Sequence, residues 1–236
     1  MGSIYLIRHG QASFGADDYD VLSPLGIRQG EMLGDHLAEL GIQFDRCLSG
    51  DLRRQQHTGQ AALARLRAAG LATPDIEIDS AFNEFTADDV IRAHLPDLLA
   101  SEPDALHILR NAANHRAEFQ RLFALVISRW VSGEHEKDGL QSWQDFLEQV
   151  QSGLQRVLDQ AGSKDRIGIF TSGGTITALL QLIIGLPAIK AFELNWQIVN
   201  TSLSCLKFRG NEVALASFNS HVHLQLLKAP ELITFR

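Results

Sequence analysis

Hydrophobic positions along the chain alternate between short apolar runs and longer amphipathic stretches. Three short apolar or half-apolar runs predict strands, at residues 3–7, 44–48 and 76–78. Between the first two runs, Ser23 and Pro24 form a cap and first-turn pair that is typical of a helix start, and the helical pattern continues to residue 40. Residues 51–69 predict a second helix. This order of strand, helix, strand, helix, strand favours an α/β sheet with parallel neighbours.

The pattern changes between about residues 87 and 140, where no strand is evident. Helical stretches follow one another here and just beyond, at residues 87–101, 104–130 and 142–161, and Pro96 predicts a break in the first. We interpret the first two as a helical insertion, at about residues 87–140, and the third as the return to the sheet. The whole chain, residues 1–236, is then predicted to form one domain.

The alternating scheme resumes after the return helix. Residues 167–171 predict a strand and residues 175–184 a helix. The segments "SLSCLKF" and "VALASF" are joined by Arg209, Gly210 and Asn211, which is a hairpin signal and predicts an antiparallel edge. The predicted fold is a three-layer α/β sandwich, with a mixed, mostly parallel sheet flanked by helices.

Composition and charge narrow the range of partners. The chain has 236 residues, of which 45% are hydrophobic and 21% charged, as in globular proteins. The formal net charge of −7, without a long basic run, argues against nucleic acid as a partner. The longest apolar run, "ALLQLIIGL", is shorter than the ~20 residues of a membrane span, and the N-terminus does not resemble a signal peptide. We therefore expect no membrane partner and a cytoplasmic location.

Candidate chemistry lies directly after the predicted strands. In α/β sheets, ligands bind outside the carboxyl ends of the strands. The residues at these ends are Arg8, His9 and Gly10 after the first strand, Ser49, Gly50, Arg53 and Arg54 after the second, Asn83 and Glu84 after the third, and Ser172, Gly173 and Gly174 after the fourth. Arginine guanidinium groups bind phosphate oxygens in bidentate fashion, a neutral imidazole can attack phosphorus, and a carboxylic acid can protonate the leaving oxygen. The residues therefore indicate phosphoryl transfer.

Several segments also resemble a known family. The segments that carry the resemblance are "LIRHG", "LSPLGIRQG", "LSGDLRRQQHTGQAA", "FNEF" and "FNSHVHL", and they occur in family order across nearly the whole chain. They are similar to the motifs of the histidine phosphatase superfamily, which includes the cofactor-dependent phosphoglycerate mutases. In the third of them, the family pattern reads Ser-Ser-x-Leu-x-Arg-Ala-x-Gln-Thr-Ala. The resemblance implies a phosphoglycerate mutase-like fold.

The resemblance also implies roles for individual residues. His9 would be the nucleophile that becomes phosphohistidine, and Arg8 and Arg54 would bind the phosphoryl group. Glu84 would protonate the leaving group and then activate water. Gln11 stands where the family often has a polar contact to the substrate.

One position departs from the family pattern. The family usually reads Ser-His-Gly-Gly after the fourth strand, and that histidine contacts the transferring phosphoryl group. Here Ser172 stands in place of the histidine, ahead of Gly173. We expect the Ser172 hydroxyl and the backbone N–H at Gly173 to donate to a phosphate. Replacement of the missing histidine by His57, His221 or His223 is the alternative that the sequence leaves open.

The expected function is hydrolysis of a small phosphorylated metabolite, a phosphomonoester, through a phosphohistidine. We expect no metal or other cofactor, since no paired ligand spacing is present. The alternatives are phosphoglycerate mutase-type phosphoryl transfer, and a weakly active or inactive phosphate-binding or regulatory protein because Ser172 replaces the second histidine. The sequence determines neither the substrate nor the oligomeric state, for which a homodimer is one candidate.

A cysteine-dependent mechanism is a further candidate, which the sequence disfavours. Cys47 and Arg53 are separated by five residues, the spacing found in cysteine-dependent phosphatases. Those enzymes need a glycine-rich anion loop around a deprotonated cysteine, whereas Leu48 and Leu52 lie in this interval. Cys47 is expected to face the core.

Overall fold

A six-stranded sheet lies at the centre of the part of the chain that is described. The computed structural model describes residues 1–13, 20–112 and 114–235. The strands are β1 Gly2–Arg8, β2 Arg46–Ser49, β3 Ile76–Ile78, β4 Arg166–Thr171, β5 Leu203–Arg209 and β6 Glu212–Ser220. Their order is β3–β2–β4–β1–β5–β6. The first four strands are parallel, β5 is antiparallel to β1, and β6 is antiparallel to β5. The predicted mixed, mostly parallel sheet is confirmed.

Helices lie on both faces of this sheet. Their bounds are α1 Pro24–Glu39, α2 Arg53–Ala68, α3 Ala87–Ser101, α4 Ala105–Arg110, α5 Arg116–Ser132, α6 Trp143–Gln160, α7 Gly173–Ile184, α8 Ala188–Asn195 and α9 Val222–Gln225. Side chains alternate along β1, so that Ile4 and Leu6 pack in the core with α6 and α7, whereas Ile7 packs in a second core with α1 and α2. Two cores separated by one sheet make the three predicted layers.

The helical region between β3 and α6 differs in detail from the sequence prediction. Pro96 lies inside α3, which continues to Ser101, although proline removes one backbone donor from a helix. The stretch predicted as one helix over residues 104–130 is two helices, α4 and α5, and Asn111 ends the first. That these helices form an insertion into a single domain stays a prediction. No helix in the described ranges is both long and apolar enough to cross a membrane.

The start of α1 is tied to the loop that follows β1. The Ser23 hydroxyl accepts a hydrogen bond from the Gly26 N–H at 3.0 Å, as predicted for a capping residue, and donates to Gln11 Oε1 at 2.8 Å. A Cβ at Gly10 would overlap the Gly26 carbonyl, so helix and loop touch backbone to backbone. This contact fixes the loop that carries His9.

Candidate active site

The carboxyl ends of β1 and β4 place His9 and Ser172 at neighbouring positions. Arg8 pairs in register with Thr171, and the His9 N–H donates to the Thr171 carbonyl at 2.8 Å. Ser172 directly follows Thr171 and is fully buried, and His9 is nearly so. The sheet thus brings together the two segments that the sequence analysis assigned to one phosphate site.

The His9 ring is held in one tautomer, with its lone pair on Nε2. Its Nδ1 lies 2.7 Å from the Gly10 carbonyl, which can only accept, so the neutral ring carries its proton on Nδ1. Nε2 then keeps its lone pair and accepts from Arg54 Nε at 3.3 Å. Burial, followed by the charges of Arg54 and Arg8, holds the pKa of His9 well below 6.5. The imidazole is therefore neutral at physiological pH, as a nucleophile must be.

Further hydrogen bonds fix the backbone of His9 and Gly10. The Gly10 N–H donates to Thr58 Oγ1 at 2.9 Å, and this hydroxyl donates in turn to the Arg54 carbonyl at 2.7 Å. Asn200 Nδ2 donates to the His9 carbonyl at 2.9 Å. The loop is thus anchored to α2 on one side and to the segment before β5 on the other.

The two arginines are held by acceptors that are not phosphate. Arg54 is buried, and its Nη1 donates to Asp20 Oδ1 at 2.8 Å. Arg8 Nη1 donates to the Ile198 carbonyl, and its Nη2 donates to the Phe235 carbonyl at 2.8 Å. Asp20 and the two carbonyls were missed by the sequence analysis, because no local pattern brings them to β1.

Gln11, in the loop that follows β1, is connected through Gln29 to residues 232–234. Its N–H donates to Gln29 Oε1 at 2.8 Å, and Gln29 Nε2 donates to the Leu232 carbonyl at 2.8 Å and to Thr234 Oγ1 at 2.9 Å. The Gln11 side chain uses Oε1 to accept from Ser23. Its Nε2 is the end that can donate to a substrate.

The carboxyl group of Glu84, the candidate proton donor, also caps the N-terminus of α7. Its Oε2 accepts from the Gly174 N–H at 3.0 Å, and its Oε1 accepts from the Phe85 N–H at 3.3 Å. Burial raises the pKa of Glu84 above its ordinary value, although these N–H groups and the two arginines act in the opposite direction. A raised pKa suits a group that delivers a proton.

Gln55 is a further member of the site that the sequence analysis did not single out. It is fully buried, and its Nε2 donates to Ser172 Oγ at 2.8 Å and to the Phe82 carbonyl at 3.1 Å. The available signal was a mismatch, since the resembled family pattern has alanine directly after its arginine, where this chain has Gln55. Gly173 is the first residue of α7 and lies beside Ser172.

The three histidines considered as replacements for the missing family histidine lie in different environments. His57 is exposed. His221 Nδ1 lies 2.8 Å from the Asn219 carbonyl. His223 Nε2 lies 3.0 Å from Thr201 Oγ1, and burial lowers the pKa of His223 to about 3. The side chain bonded to Ser172 is instead Gln55.

The described residues provide neither a reactive thiolate at Cys47 nor a cluster of metal ligands. Cys47 is fully buried in the core, and this burial raises the pKa of its thiol to about 12. A neutral thiol is a poor nucleophile, so the cysteine-dependent reading is disfavoured. Within residues 1–13, 20–112 and 114–235, no group of three or more His, Cys, Asp or Glu side chains is placed to hold a metal ion.

The Gly174→Ala variant tests the placement of Glu84. A Cβ at position 174 would overlap Glu84 Oε1 and crowd the Phe85 ring, so we expect a loss of about 1–3 kcal/mol in unfolding free energy. Displacement of the carboxyl group should also lower turnover on the order of 10²-fold. Thermal denaturation and steady-state kinetics measure the two effects. Gly30→Ala is the matched control, because its nearest neighbour, Ala61 Cβ, would lie at 3.1 Å. Equal behaviour of the two variants would contradict the prediction.

The chain matches a known protein family over most of its length. The family model of the histidine phosphatase superfamily, branch 1, matches residues 4–221. A 2,3-bisphosphoglycerate-dependent phosphoglycerate mutase from Rhizobium rhizogenes is 27% identical over 203 residues, which are 82% of this chain and 85% of the mutase. The protein of the same name from Allorhizobium ampelinum is 33% identical over 119 residues, 47% of this chain. That match spans about half of the relative's length, 54%.

Solved structures share the fold over almost the whole chain. Phosphoserine phosphatase from Entamoeba histolytica, in complex with 3-phosphoglyceric acid, has a TM-score of 0.64 at 17% identity, covering 95% of this chain and all of that one. At this identity the likeness concerns the fold. The family model extends from β1 to the residue after β6, and the segments it spans include those that form the site. The chain belongs to branch 1 of the histidine phosphatase superfamily.

Proposed function

We propose that the protein is a phosphomonoester hydrolase that acts on a small phosphorylated metabolite through a phosphohistidine on His9. The observation that carries this proposal is the His9 ring, whose Nδ1 is committed to the Gly10 carbonyl and whose Nε2 lone pair lies beside Arg54. A neutral, oriented imidazole next to guanidinium groups is suited to attack a bound phosphoryl group.

The first half of the reaction transfers the phosphoryl group to the protein. Arg54 Nε first turns from His9 Nε2 to a phosphoryl oxygen, which frees the Nε2 lone pair. Nε2 of His9 then forms a bond to phosphorus as the ester P–O bond breaks. Glu84, whose pKa is raised by burial, gives its proton to the departing ester oxygen, so an alcohol leaves. Arg8 and Arg54 balance the charge on the phosphoryl oxygens, after exchanging Phe235, Ile198 and Asp20 contacts for phosphate.

The second half returns His9 to its starting state. The Glu84 carboxylate takes a proton from water, the water oxygen bonds to phosphorus, and the N–P bond breaks. Inorganic phosphate leaves, and His9 again has its lone pair on Nε2. Both steps thus use the same carboxyl group, first as acid and then as base.

Mutase-type transfer is the second candidate, favoured by the similarity to bisphosphoglycerate-dependent mutases over 82% of this chain. A mutase returns the phosphoryl group to a second hydroxyl of the bound product, whereas a phosphatase returns it to water. A weakly active or regulatory protein is the third candidate, because Ser172 stands where the family has histidine. Localisation in the cytoplasm and homodimer formation likewise remain proposals.

A turnover screen distinguishes these candidates. Phosphate release is measured over a panel of phosphomonoesters, and isomerisation of 3-phosphoglycerate is measured with 2,3-bisphosphoglycerate present. Release without isomerisation supports the hydrolase, and isomerisation above release supports the mutase. Lack of both, together with binding of inorganic phosphate, supports the regulatory protein. An acid-labile phosphoenzyme that His9→Ala removes identifies the nucleophile.

The pH dependence of kcat/KM is expected to have two limbs. The pKa of His9 is held well below 6.5, so the loss of activity on acidification lies well below that pH, lower than an ordinary histidine predicts. The pKa of Glu84 is raised, so activity falls as pH rises through that pKa and the acid form is lost. Measurement with an alkyl phosphate from about pH 4 to about pH 9 checks this, and Glu84→Gln should remove the alkaline limb. Protonation of the substrate phosphate also lowers kcat/KM in acid and is corrected for first. A remaining acid limb centred at or above pH 6.5 would contradict a His9 pKa held well below that value.

A further inference from the structure

The buried amide of Gln55 has one allowed orientation. Its Nε2 lies 3.1 Å from the Phe82 carbonyl and 2.8 Å from Ser172 Oγ. A backbone carbonyl can only accept, so the NH₂ end must face it; the flipped amide would set two acceptor oxygens against each other. Thr171 Oγ1 also donates to this carbonyl, at 2.7 Å, which confirms its acceptor role.

This orientation determines what the Ser172 hydroxyl can do. Because Ser172 Oγ receives an N–H from Gln55, its own proton is directed to a different acceptor. Ser172 is fully buried, and its Oγ makes no capping bond to α7. It follows Thr171, whose carbonyl accepts from the His9 N–H, and a Cβ on the next residue, Gly173, would lie 3.8 Å from Arg8 Nε. The turn therefore lies against His9 and Arg8.

We propose that Gln55 is a positioning residue, which holds Ser172 as a hydrogen-bond donor to the phosphoryl group bound at His9. Gln55 and Ser172 together then supply the donor that one histidine supplies in the family pattern. This inference rests on the proposed function, because it assigns an acceptor that the hydrolase mechanism brings to the site. Gln55 itself touches neither the substrate nor the reacting atoms.

The other end of the same amide supports a functional reason for Gln55. Its Oε1 is buried without a hydrogen-bond partner in the described residues, and it packs closely against Gly50. A buried acceptor without a partner destabilises a fold, so glutamine is a costly choice for packing alone. The family pattern has the smaller alanine at this position. Gln55 donates an N–H to Ser172, which the alanine of the family pattern could not do.

A double-mutant cycle on kcat tests the inference. Gln55→Met keeps the length of the side chain and removes its N–H donors, and we expect it to lower kcat about tenfold with KM little changed. Ser172→Ala is expected to lower kcat at least as much. In the double variant, Gln55→Met should add nothing to the effect of Ser172→Ala, since Gln55 acts through that hydroxyl. Gln60→Met, an exposed change on the same helix, is the matched control.

Two outcomes overturn the inference. One is an unchanged kcat in Gln55→Met, and the other is the same loss from this change with Ser172 present and absent, which indicates packing alone. If Gln55→Met does not fold by thermal denaturation, Gln55→Ala takes its place in the cycle. If the wild type releases no phosphate, the proposed function fails separately, and the cycle is measured on the affinity for inorganic phosphate by calorimetry. The inference is then supported if Gln55→Met weakens phosphate binding only when Ser172 is present. It is overturned if the loss is the same in the Ser172→Ala background.

Discussion

Replacement of His9 by alanine is expected to lower turnover by on the order of 10⁴-fold or more, the scale seen when a covalent nucleophile is removed. The reason is geometric, since the His9 ring is oriented by Gly10 on one nitrogen and faces Arg54 with the other. Steady-state phosphate release measures the loss, and acid quenching of the reaction measures the phosphoenzyme, which should disappear as well.

The control for this variant is another histidine changed in the same way. His135→Ala alters an exposed side chain between α5 and α6 and should keep the wild-type rate. Cys47→Ser should keep the acid-labile phosphoenzyme, because the Cys47 thiol is buried and neutral. Wild-type turnover in His9→Ala would refute the phosphohistidine mechanism altogether.

Replacement of Glu84 by glutamine is expected to lower the hydrolysis of alkyl phosphates by about 10²–10⁴-fold. Glutamine can still accept the Gly174 N–H through its carbonyl oxygen, but it has no proton to give to the leaving oxygen. Aryl phosphates, whose leaving groups need less protonation, should lose less in the first step. Rapid-quench kinetics with both substrate types checks this, and the phosphoenzyme should persist longer because the base for water is absent.

Asp88→Asn is the matched control for this second variant. Asp88 is an exposed carboxylate in the first turn of α3, four residues after Glu84. Loss of the Asp88 carboxylate should leave the rates of phosphoryl transfer to His9 and of phosphoenzyme hydrolysis unchanged. Equal losses for alkyl and aryl phosphates in Glu84→Gln would argue that Glu84 shapes the site without transferring a proton.

The sequence carried enough information for the sheet and for the positions after its strands. Short apolar runs predicted the strand order along the chain, and the carboxyl ends of neighbouring parallel strands must meet at one edge. His9 and Ser172 therefore lie side by side, after residues paired in register. The catalytic roles of these residues stay predictions, since the comparisons establish the family and the geometry supplies only the arrangement.

Long-range partners could not be predicted in the same way. Asp20 reaches Arg54 across 34 positions, and Gln55 reaches Ser172 across 117, and neither pair has a local spacing that signals contact. Local propensity predicts neither the end of α4 at Asn111 nor the continuity of α3 through Pro96. The helices of this region share one core, to which Leu98, Ala105 and Leu122 belong. Gln55 also bears on the departure from the family pattern, because its amide donates to the hydroxyl of Ser172, which stands where the family has histidine.

Gln29 binds the loop after His9 and the C-terminal segment with the two ends of one amide. Thermodynamic linkage makes such an arrangement reciprocal. Whatever favours the bound position of residues 232–234 also favours the bound position of Gln11, and a ligand that holds Gln11 in place tightens the hold on that segment by the same factor. Under the proposed function, the contact of Phe235 with Arg8 opposes this, because phosphate and the Phe235 carbonyl would compete for one guanidinium. Residues 232–235 would then help and hinder phosphate binding through two separate contacts, and their net effect would be the difference between two free energies.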